Sequence, residues 1–553
     1  MKRNIKSYII NIIPWALMLF SILFSMYFIK CNYYTLMNSD TASELVLGKL
    51  LSQEGGILSK NWCYSTEIKL LDVQILYKVF FMLFNDNWLL VRMCTSAVML
   101  IFLAASYLFM MHSIGLYKLG LYTAFILLLP FSPTYSYVII YGVFYNRVLI
   151  LSFLLLGLVF RLLNESQHSK NNIIYLFLAL ISIISGFTGL RQAMLCFAPL
   201  VLTSLRRLYI DLKRNNSLSL ANLNKKNILF FRIIAFSSCC YLIGFLFNKL
   251  IITNLYFSLG RDFPWNKFSI SNLLDALSLF FDSFGQFEKV SLLRPFGISS
   301  VLSIFAVIAI FASVINLLKN IDNAPYIISI YTEFVIFDFF ISLFLIAFTS
   351  STTPILYWVP ITSLTIPFWG LLFKYDKNLI TNLFGRISII VIYFYVVLSS
   401  LCTFLKPLAP QIQYSKDFSV YKNATAFLEE NNYTEGFASF WLSDIITEMS
   451  SGKIEMWTTD YISDTDVSQP SSIYEWLQSK DHRNNLPQNR FFILTYNNDY
   501  LESTIQFDHN YYNTLSSQDE NLIYSDDYAR IYGFDNMDEF INLYKRILSS
   551  PNN

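Results

Sequence analysis

Within the stretch "NSDTASE", residues 38–44, two carboxylates, Asp40 and Glu44, stand four residues apart. On a helix that spacing puts both on one face. A carboxylate held within hydrogen-bond reach of a hydroxyl can take its proton, given enough desolvation to raise its basicity. The same residues also spell a capping box, with Thr41 as N-cap and Glu44 reaching back to the Thr41 backbone N–H. On that second reading Asp40 is a solvated residue beside a helix start. Both readings begin a helix here, and they differ in what the carboxylates face.

The elements that must position this pair are membrane elements. Of 553 residues, 55% are hydrophobic and only 14% charged, where soluble domains carry roughly 25% charged residues. Mean hydropathy is +0.46. Apolar runs of about 18 residues or more recur along the chain, so a polytopic α-helical membrane protein is expected. Eleven spans are predicted, near 8–30, 87–111, 119–140, 144–161, 173–188, 190–205, 229–252, 295–318, 326–349, 355–373 and 379–404. The region 119–161 is the weak point, since Pro130 and Pro133 interrupt it. The first run follows Met1-Lys2-Arg3, exceeds a signal-peptide core in length and has no small-residue cleavage site behind it, so it is expected to be retained.

Cations set the orientation. Lys2, Arg3 and Lys6 flank the first span, and Arg206, Arg207, Lys213, Arg214, Lys225 and Lys226 crowd one connection. Lys319, Lys374 and Lys377 fall in loops of the same side. The positive-inside rule then places the N-terminus in the cytoplasm, and an odd number of spans places the C-terminal residues outside. Two outer loops are long, 31–86 and 253–294. "ELVLGKLL" and "LDVQILYKVFFMLF" in the first suit helices lying in the interface.

A membrane domain over 1–404 and an extracytoplasmic α/β domain over 405–553 are therefore expected. The second holds 22 of the 38 acidic residues and 10 of the 40 basic ones, a balance that argues against nucleic acid as a partner. "NATAFLEENNY" reads as helix; "GFASF", "KIEMWTTDY", "RFFILTYN" and "ARIYGF" read as strands. The segment carries no nucleophile-elbow or phosphate-loop pattern. Its histidines, His482 and His509, have no Cys or His at ligand spacing. Five of the seven cysteines lie in apolar runs, whereas Cys31 and Cys63 share the first long loop, where a disulfide between them is one reading.

The order "NSDTASELVLGKLL", "NWCYSTEIKLLDVQILYKVFF", "NWLLVR" over residues 1 to about 300 resembles the GT-C superfamily of integral-membrane glycosyltransferases. With "YTEGFASFWLSDIITEMSSGKIEMWT" behind it, the chain also resembles bacterial GT-C proteins that end in a soluble outer domain. The resemblance implies a bacterial cytoplasmic-membrane enzyme that takes a sugar from a polyprenyl-phosphate donor. The sugar would pass, with inversion, to a hydroxyl of a surface glycan, lipid or protein. It implies Asp40 as base, with Glu44 as the accompanying acid; the adjacent Asp-Glu of the eukaryotic mannosyltransferases is absent.

In that light Arg147, Arg191, Arg261 and Arg294 are candidates for the donor's phosphate, because a guanidinium matches phosphate oxygens. Contact with lipid headgroups is the alternative for each. Glu67 and Asp72 would orient sugar hydroxyls or simply be solvated. Tyr33, Tyr34, Trp62 and Trp265 would stack on sugars or form an interfacial aromatic belt. No metal ligand set is assigned; some GT-C members use a divalent cation, and here any cation would rest on scattered carboxylates. Two other functions fit the same composition: a polymerase, ligase or flippase for lipid-linked glycans, and a non-enzymatic anchor presenting the C-terminal domain.

Overall fold

The computed structural model describes residues 2–66, 68–164, 171–214, 223–258, 265, 267, 269–287, 290–320, 323–349, 354–372, 379–410, 416–459, 475–497 and 520–548. The chain is largely helical, with a small sheet near its C-terminal end. Its helices are α1 (Lys2–Asn32), α2 (Ser39–Glu54), α3 (Gln74–Phe84), α4 (Trp88–Ile114), α5 (Tyr117–Leu127), α6 (Asn146–Asn164) and α7 (Asn171–Gly186). Then follow α8 (Ala198–Arg214), α9 (Lys225–Phe247), α10 (Ile270–Asp282), α11 (Pro295–Lys319), α12 (Tyr326–Phe348), α13 (Val359–Leu371) and α14 (Leu379–Leu405).

Among the described residues eight helices are long and apolar enough to cross a membrane: α1, α4, α6, α8 with its lead-in from Leu190, α9 continued to Leu255, α11, α12 and α14. Eleven spans were expected from hydropathy. The stretches expected at 173–188 and 355–373 are shorter apolar helices. The one expected at 119–140 breaks at its prolines: α5 stops at Leu127, and the chain resumes as a π-helical segment, Ser136–Tyr141. Proline removes a helical donor and clashes with the preceding turn, so an apolar run need not be one helix.

Close helix contacts depend on absent side chains at two places. A Cβ on Gly244 of α9 would meet the Ile183 carbonyl oxygen of α7 at 2.1 Å, and one on Gly186 would meet the Tyr241 carbonyl oxygen at 2.3 Å. Small residues at such crossings let helix backbones approach, which is how apolar helices gain packing in lipid. Likewise a Cβ on Gly48 would sit 2.4 Å from Tyr77 Cβ, where α2 meets α3.

The C-terminal region is built from α15 (Lys422–Glu430), β1 (Glu435–Ala438), α16 (Phe440–Met449), β2 (Glu455–Thr458), β3 (Phe491–Tyr496), β4 (Leu522–Ser525), β5 (Ala529–Phe534) and α17 (Met537–Leu548). The strands order as β2-β1-β3-β5-β4, parallel on the β1 side of β3 and antiparallel beyond it. Successive residues of a strand face opposite ways, so β3 sends Phe491 and Ile493 to the α17 face and Phe492 and Leu494 to the other. The second face shares one apolar core with the membrane helices. The C-terminal region thus has one apolar core of its own, on the α17 face, and shares a second with the membrane part.

Polar contacts fix that seat. Cys63 N donates to Gln478 O at 2.9 Å, Leu477 N to Cys63 O at 2.8 Å and Lys480 N to Asn61 O at 2.7 Å, joining the first long loop to the C-terminal region as a short antiparallel bridge. Burial pushes the Cys63 thiol up to about 11. Cys63 and Cys31 are both free, so the disulfide reading fails: Cys63 is buried against the C-terminal region and Cys31 is exposed at the end of α1.

The strongest tie is a buried ion pair. Arg92, in the first turns of α4, donates from Nε to Glu448 Oε1 at 3.0 Å and from Nη2 to both Glu448 oxygens at 2.7 Å. Neither side chain has any solvent exposure. Removing one partner leaves an uncompensated buried charge, which costs about 3–5 kcal/mol. Glu448→Ala is therefore expected to lower the thermal midpoint of the full-length protein and to open residues 440–459 to protease. The double variant Arg92→Met, Glu448→Leu should recover most of the loss. A Glu448→Ala protein as stable as wild type would show that this pair does not hold the C-terminal region in place.

Candidate functional site

Asp40 lies in the first turn of α2, half-buried. Asn38, with extended backbone, caps the helix, its side chain accepting from Asp40 N at 3.0 Å. The capping box read from Thr41 does not form. Asn is a strong N-cap, and with the helix starting at Ser39 the Thr41 hydroxyl instead donates to Asn38 O at 2.8 Å. Glu44, freed from capping, turns to Lys69.

That contact opens a cluster of charges. Lys69 Nζ lies 3.0 Å from Glu44 Oε1 and 3.6 Å from Asp72 Oδ2, and Asp72 Oδ2 lies 3.6 Å from Arg147 Nη2. Arg147 Nη1 also donates to Leu71 O at 2.7 Å. Arg191 stacks its guanidinium over the Tyr145 ring at 5.5 Å and is close enough to Lys69 to oppose its charge. Burial works against the Lys69 ammonium, but Glu44 and Asp72 outweigh it and hold the group above its ordinary value. Glu44, Asp72, Arg147 and Arg191 are thus brought together, with Lys69 as a fifth member that sequence reasoning did not single out. Asp72 is a buried partner of cations, not a solvated residue.

Arg294 stands apart: it is exposed before α11, and its side chain makes no ion pair among the described residues. Arg261 and Glu67 lie outside the described residues. Trp62 is buried in a loop cluster with Tyr64 and Ile68, and Trp265 is exposed beside Phe344, 6.1 Å away between centroids. Neither is placed with Asp40. Among the described residues no group of His, Cys, Asp and Glu has the arrangement of a metal site.

The backbone around Asp40 and the cluster is unusual. Three π-helical segments, Ser136–Tyr141, Ala193–Phe197 and Asn248–Ile252, surround it. Such segments concentrate at functional sites. The first brings Tyr137 close to Asp40 and the Tyr141 carbonyl to Arg92. The second begins two residues after Arg191. In the third, Asn248 Nδ2 donates to Ile68 O at 2.9 Å and Phe187 O at 2.7 Å, tying the first loop to α9 and to the end of α7. Val143, buried just beyond the first segment, has φ +49°, a conformation strained for a β-branched residue.

A groove of about 510 Å³ is lined by Tyr33, Tyr34, Asn85, Asp86, Asn87 and Trp88 together with Met449 and Ser451 of the C-terminal region. Trp88 is 2% exposed, and its indole N–H has no partner. Asp86 is already bound by Lys49 at 3.2 Å. By contrast the cleft beside Glu44 and Lys69 is only about 20 Å³, room for about one water.

Besides Lys69, sequence reasoning missed Arg92, Asp444 and Glu448. A signal existed for each. Arg92 is a charge inside the first turns of an apolar span, which is costly unless paired, and Asp444 and Glu448 are acids four apart in the apolar run "FWLSDIITEM". Their partners are far apart in sequence, so only the fold could show the meeting.

If Lys69 holds the loop by bridging two carboxylates, Lys69→Met leaves Glu44 and Asp72 without it at partly buried positions. A loss of about 1–3 kcal/mol is expected, with faster amide exchange over residues 66–74 while exchange in α4 is unchanged. Unaltered exchange in the loop would refute the bridging role. Set against known protein families and characterised proteins, the sequence matches none.

Proposed function

We propose that the chain is a glycosyltransferase of a bacterial cytoplasmic membrane. It moves a sugar from a polyprenyl-phosphate carrier to a hydroxyl of a surface glycan, lipid or protein on the outer face. The observation that carries this reading is the placing of Asp40 one helical turn, about 6 Å of rise, from the Glu44–Lys69–Asp72–Arg147–Arg191 cluster. A proton acceptor and a group of cations then face the same end of the bundle. Both long loops and the C-terminal region also meet there.

In the proposed reaction the acceptor oxygen attacks the anomeric carbon, and its proton passes to Asp40. The bond from that carbon to phosphate oxygen breaks, and the phosphate leaves with the electron pair. A sugar phosphodiester carries one negative charge and the departing lipid phosphate up to two, so cations placed there stabilise the transition state more than the ground state. Among the described residues the cluster has three cations against two carboxylates, an excess of one positive charge. Single displacement inverts the anomeric centre.

The groove supports a place for the acceptor. Its faces are aromatic and carboxamide with one neutralised carboxylate, the chemistry of a neutral, hydroxylated ligand rather than of a phosphate. An anchor that merely displays its C-terminal region has no use for a buried arginine–glutamate pair and a shared core between the two parts. The basic flanks of the opposite end, including Arg206 and Arg207 paired with Glu333, agree with a cytoplasmic side there.

Asp40→Asn, at matched membrane expression, is expected to slow transfer by about 10²–10⁴-fold, the usual contribution of a general base. Mass spectrometry of the surface glycans should then show one sugar missing, and the missing mass names the donor. Unchanged glycans would remove Asp40 from the chemistry. A parallel loss with Arg191→Gln would then favour a polymerase, ligase or flippase for lipid-linked glycans.

A further inference from the structure

We propose that His482 is a proton-operated fastener: while its ring carries two protons, it holds closed the seam between the C-terminal region and the first long loop. The inference goes beyond the transferase reading and does not depend on it.

His482 lies in the short turn Lys480–Arg483 and is 6% exposed. Its ring stacks on the Trp457 indole of β2, with centroids 4.5 Å apart. Nε2 lies 3.0 Å from Glu455 Oε1, and Nδ1 lies 3.0 Å from Gln478 Oε1. Turning the Gln478 amide to offer nitrogen instead would break two hydrogen bonds. Its Oε1 already accepts from Thr458 N at 3.1 Å, and its Nε2 donates to Thr458 O at 3.2 Å. Both ring nitrogens therefore face acceptors. A neutral imidazole has a single N–H, whereas an imidazolium donates from both nitrogens. Only the doubly protonated ring satisfies both contacts, and its charge also suits the indole face.

Loss of one proton sets a nitrogen lone pair against an oxygen, so one of the two contacts opens. The residues so released are those that make the seam. Gln478 O accepts from Cys63 N at 2.9 Å, Leu477 N donates to Cys63 O at 2.8 Å and Lys480 N donates to Asn61 O at 2.7 Å. Leu477 also lines the cleft beside Glu44 and Lys69, so the seam reaches the charge cluster.

Among the described residues the charged groups around the ring are these. Glu455 is bound by the ring itself, Lys480 and Asp481 flank it in the turn, and Arg483 pairs with Glu475 at 2.9 Å. On the first-loop side the charges that reach the Cys63 thiol are those of Glu475, Lys480 and Arg483. The hydrogen bond from His482 holds the Glu455 carboxyl below its ordinary range, against the effect of burial.

The two groups bound a pH window. A carboxyl with a lowered folded pKa adds stability above its unfolded value, about 4.3 for glutamate, and loses it as pH falls through the lowered one. The second ring proton adds stability at lower pH and loses it as pH rises through the range, about 5–8, where histidine discharges. The fastener is therefore closed in mildly acidic surroundings and loosened in alkaline ones.

Cys63 reports the seam, being 1% exposed and bound there through its backbone. The test measures its alkylation by N-ethylmaleimide in full-length protein in lipid nanodiscs, at about pH 5.5 and about pH 8. Mass spectrometry of the Cys63 peptide gives the rate. Glu455→Gln is the reference, because its amide presents oxygen to a charged ring and nitrogen to a neutral one. The Glu455 side chain is 62% exposed, so this substitution leaves folding intact. Dividing by the reference rate cancels the growth of reactive thiolate with pH. The wild-type ratio is expected to rise about 2–10-fold from the acidic to the alkaline condition, the factor that one net hydrogen bond is worth. In His482→Gln the same ratio should not change with pH. A wild-type ratio equal at the two pH values overturns the proposal, and so does a rise that His482→Gln reproduces.

Discussion

The Arg92–Glu448 pair is the constraint on which the arrangement of this protein turns. A guanidinium inside the first turns of an apolar helix, wholly out of water, is tolerable only with its charge matched and its donors used. Glu448 supplies the charge, and the carbonyls of Tyr141 and Thr41 take remaining donors at 3.4 and 3.3 Å. The Tyr141 ring lies 4.4 Å below the guanidinium carbon, and its hydroxyl donates to Tyr33 O at 3.0 Å. One side chain thereby fixes α4, the start of α2, the first π-helical segment, the linker after α1 and the C-terminal helix α16 relative to one another.

Everything argued about the site inherits that geometry. The start of α2 is where Asp40 stands, and α16 is the C-terminal helix packed against α2. The first long loop between α2 and α3 has little regular structure of its own, so its backbone groups are satisfied by others: the C-terminal region at Asn61 and Cys63, Phe257 at Tyr64 and Asn248 at Ile68. A loop held from three sides can keep Lys69 between Glu44 and Asp72 without a helix to carry it. The strained Val143 and the three π-helical turns lie where helices must depart from regular geometry to bring side chains to this one end, which is where strain is commonly stored.

Two electrostatic environments follow along a single helix. Toward Glu44 the field is set by Lys69, Arg147 and Arg191 and suits an anion. Beside Asp40, at the start of α2, the Arg92–Glu448 pair meets the Thr41 carbonyl with its charge already matched. In the proposed transfer Asp40 would serve the acceptor and the cations toward Glu44 the leaving phosphate.

The sequence by itself determined the membrane-embedded helical class, the presence of a helix beginning close to Asp40, the four strand segments "GFASF", "KIEMWTTDY", "RFFILTYN" and "ARIYGF", and the candidacy of Asp40, Glu44, Asp72, Arg147 and Arg191. These follow from local quantities: apolar run length, residue periodicity and the rarity of charges beside apolar spans. Strand β4 was not legible, because "LIYS" is too short and too mixed to stand out. Three of the eleven expected stretches are shorter or proline-broken helices, because hydropathy measures how apolar a run is and not whether prolines let it continue as one helix. Tertiary structure alone decided the rest. It chose Asn38 over Thr41 as the cap, gave Glu44 to Lys69, left Arg294 exposed and apart, and joined Arg92 to Glu448 across 356 positions. The meeting of distant charges is a property of how helices pack, and no local pattern in the chain carries it.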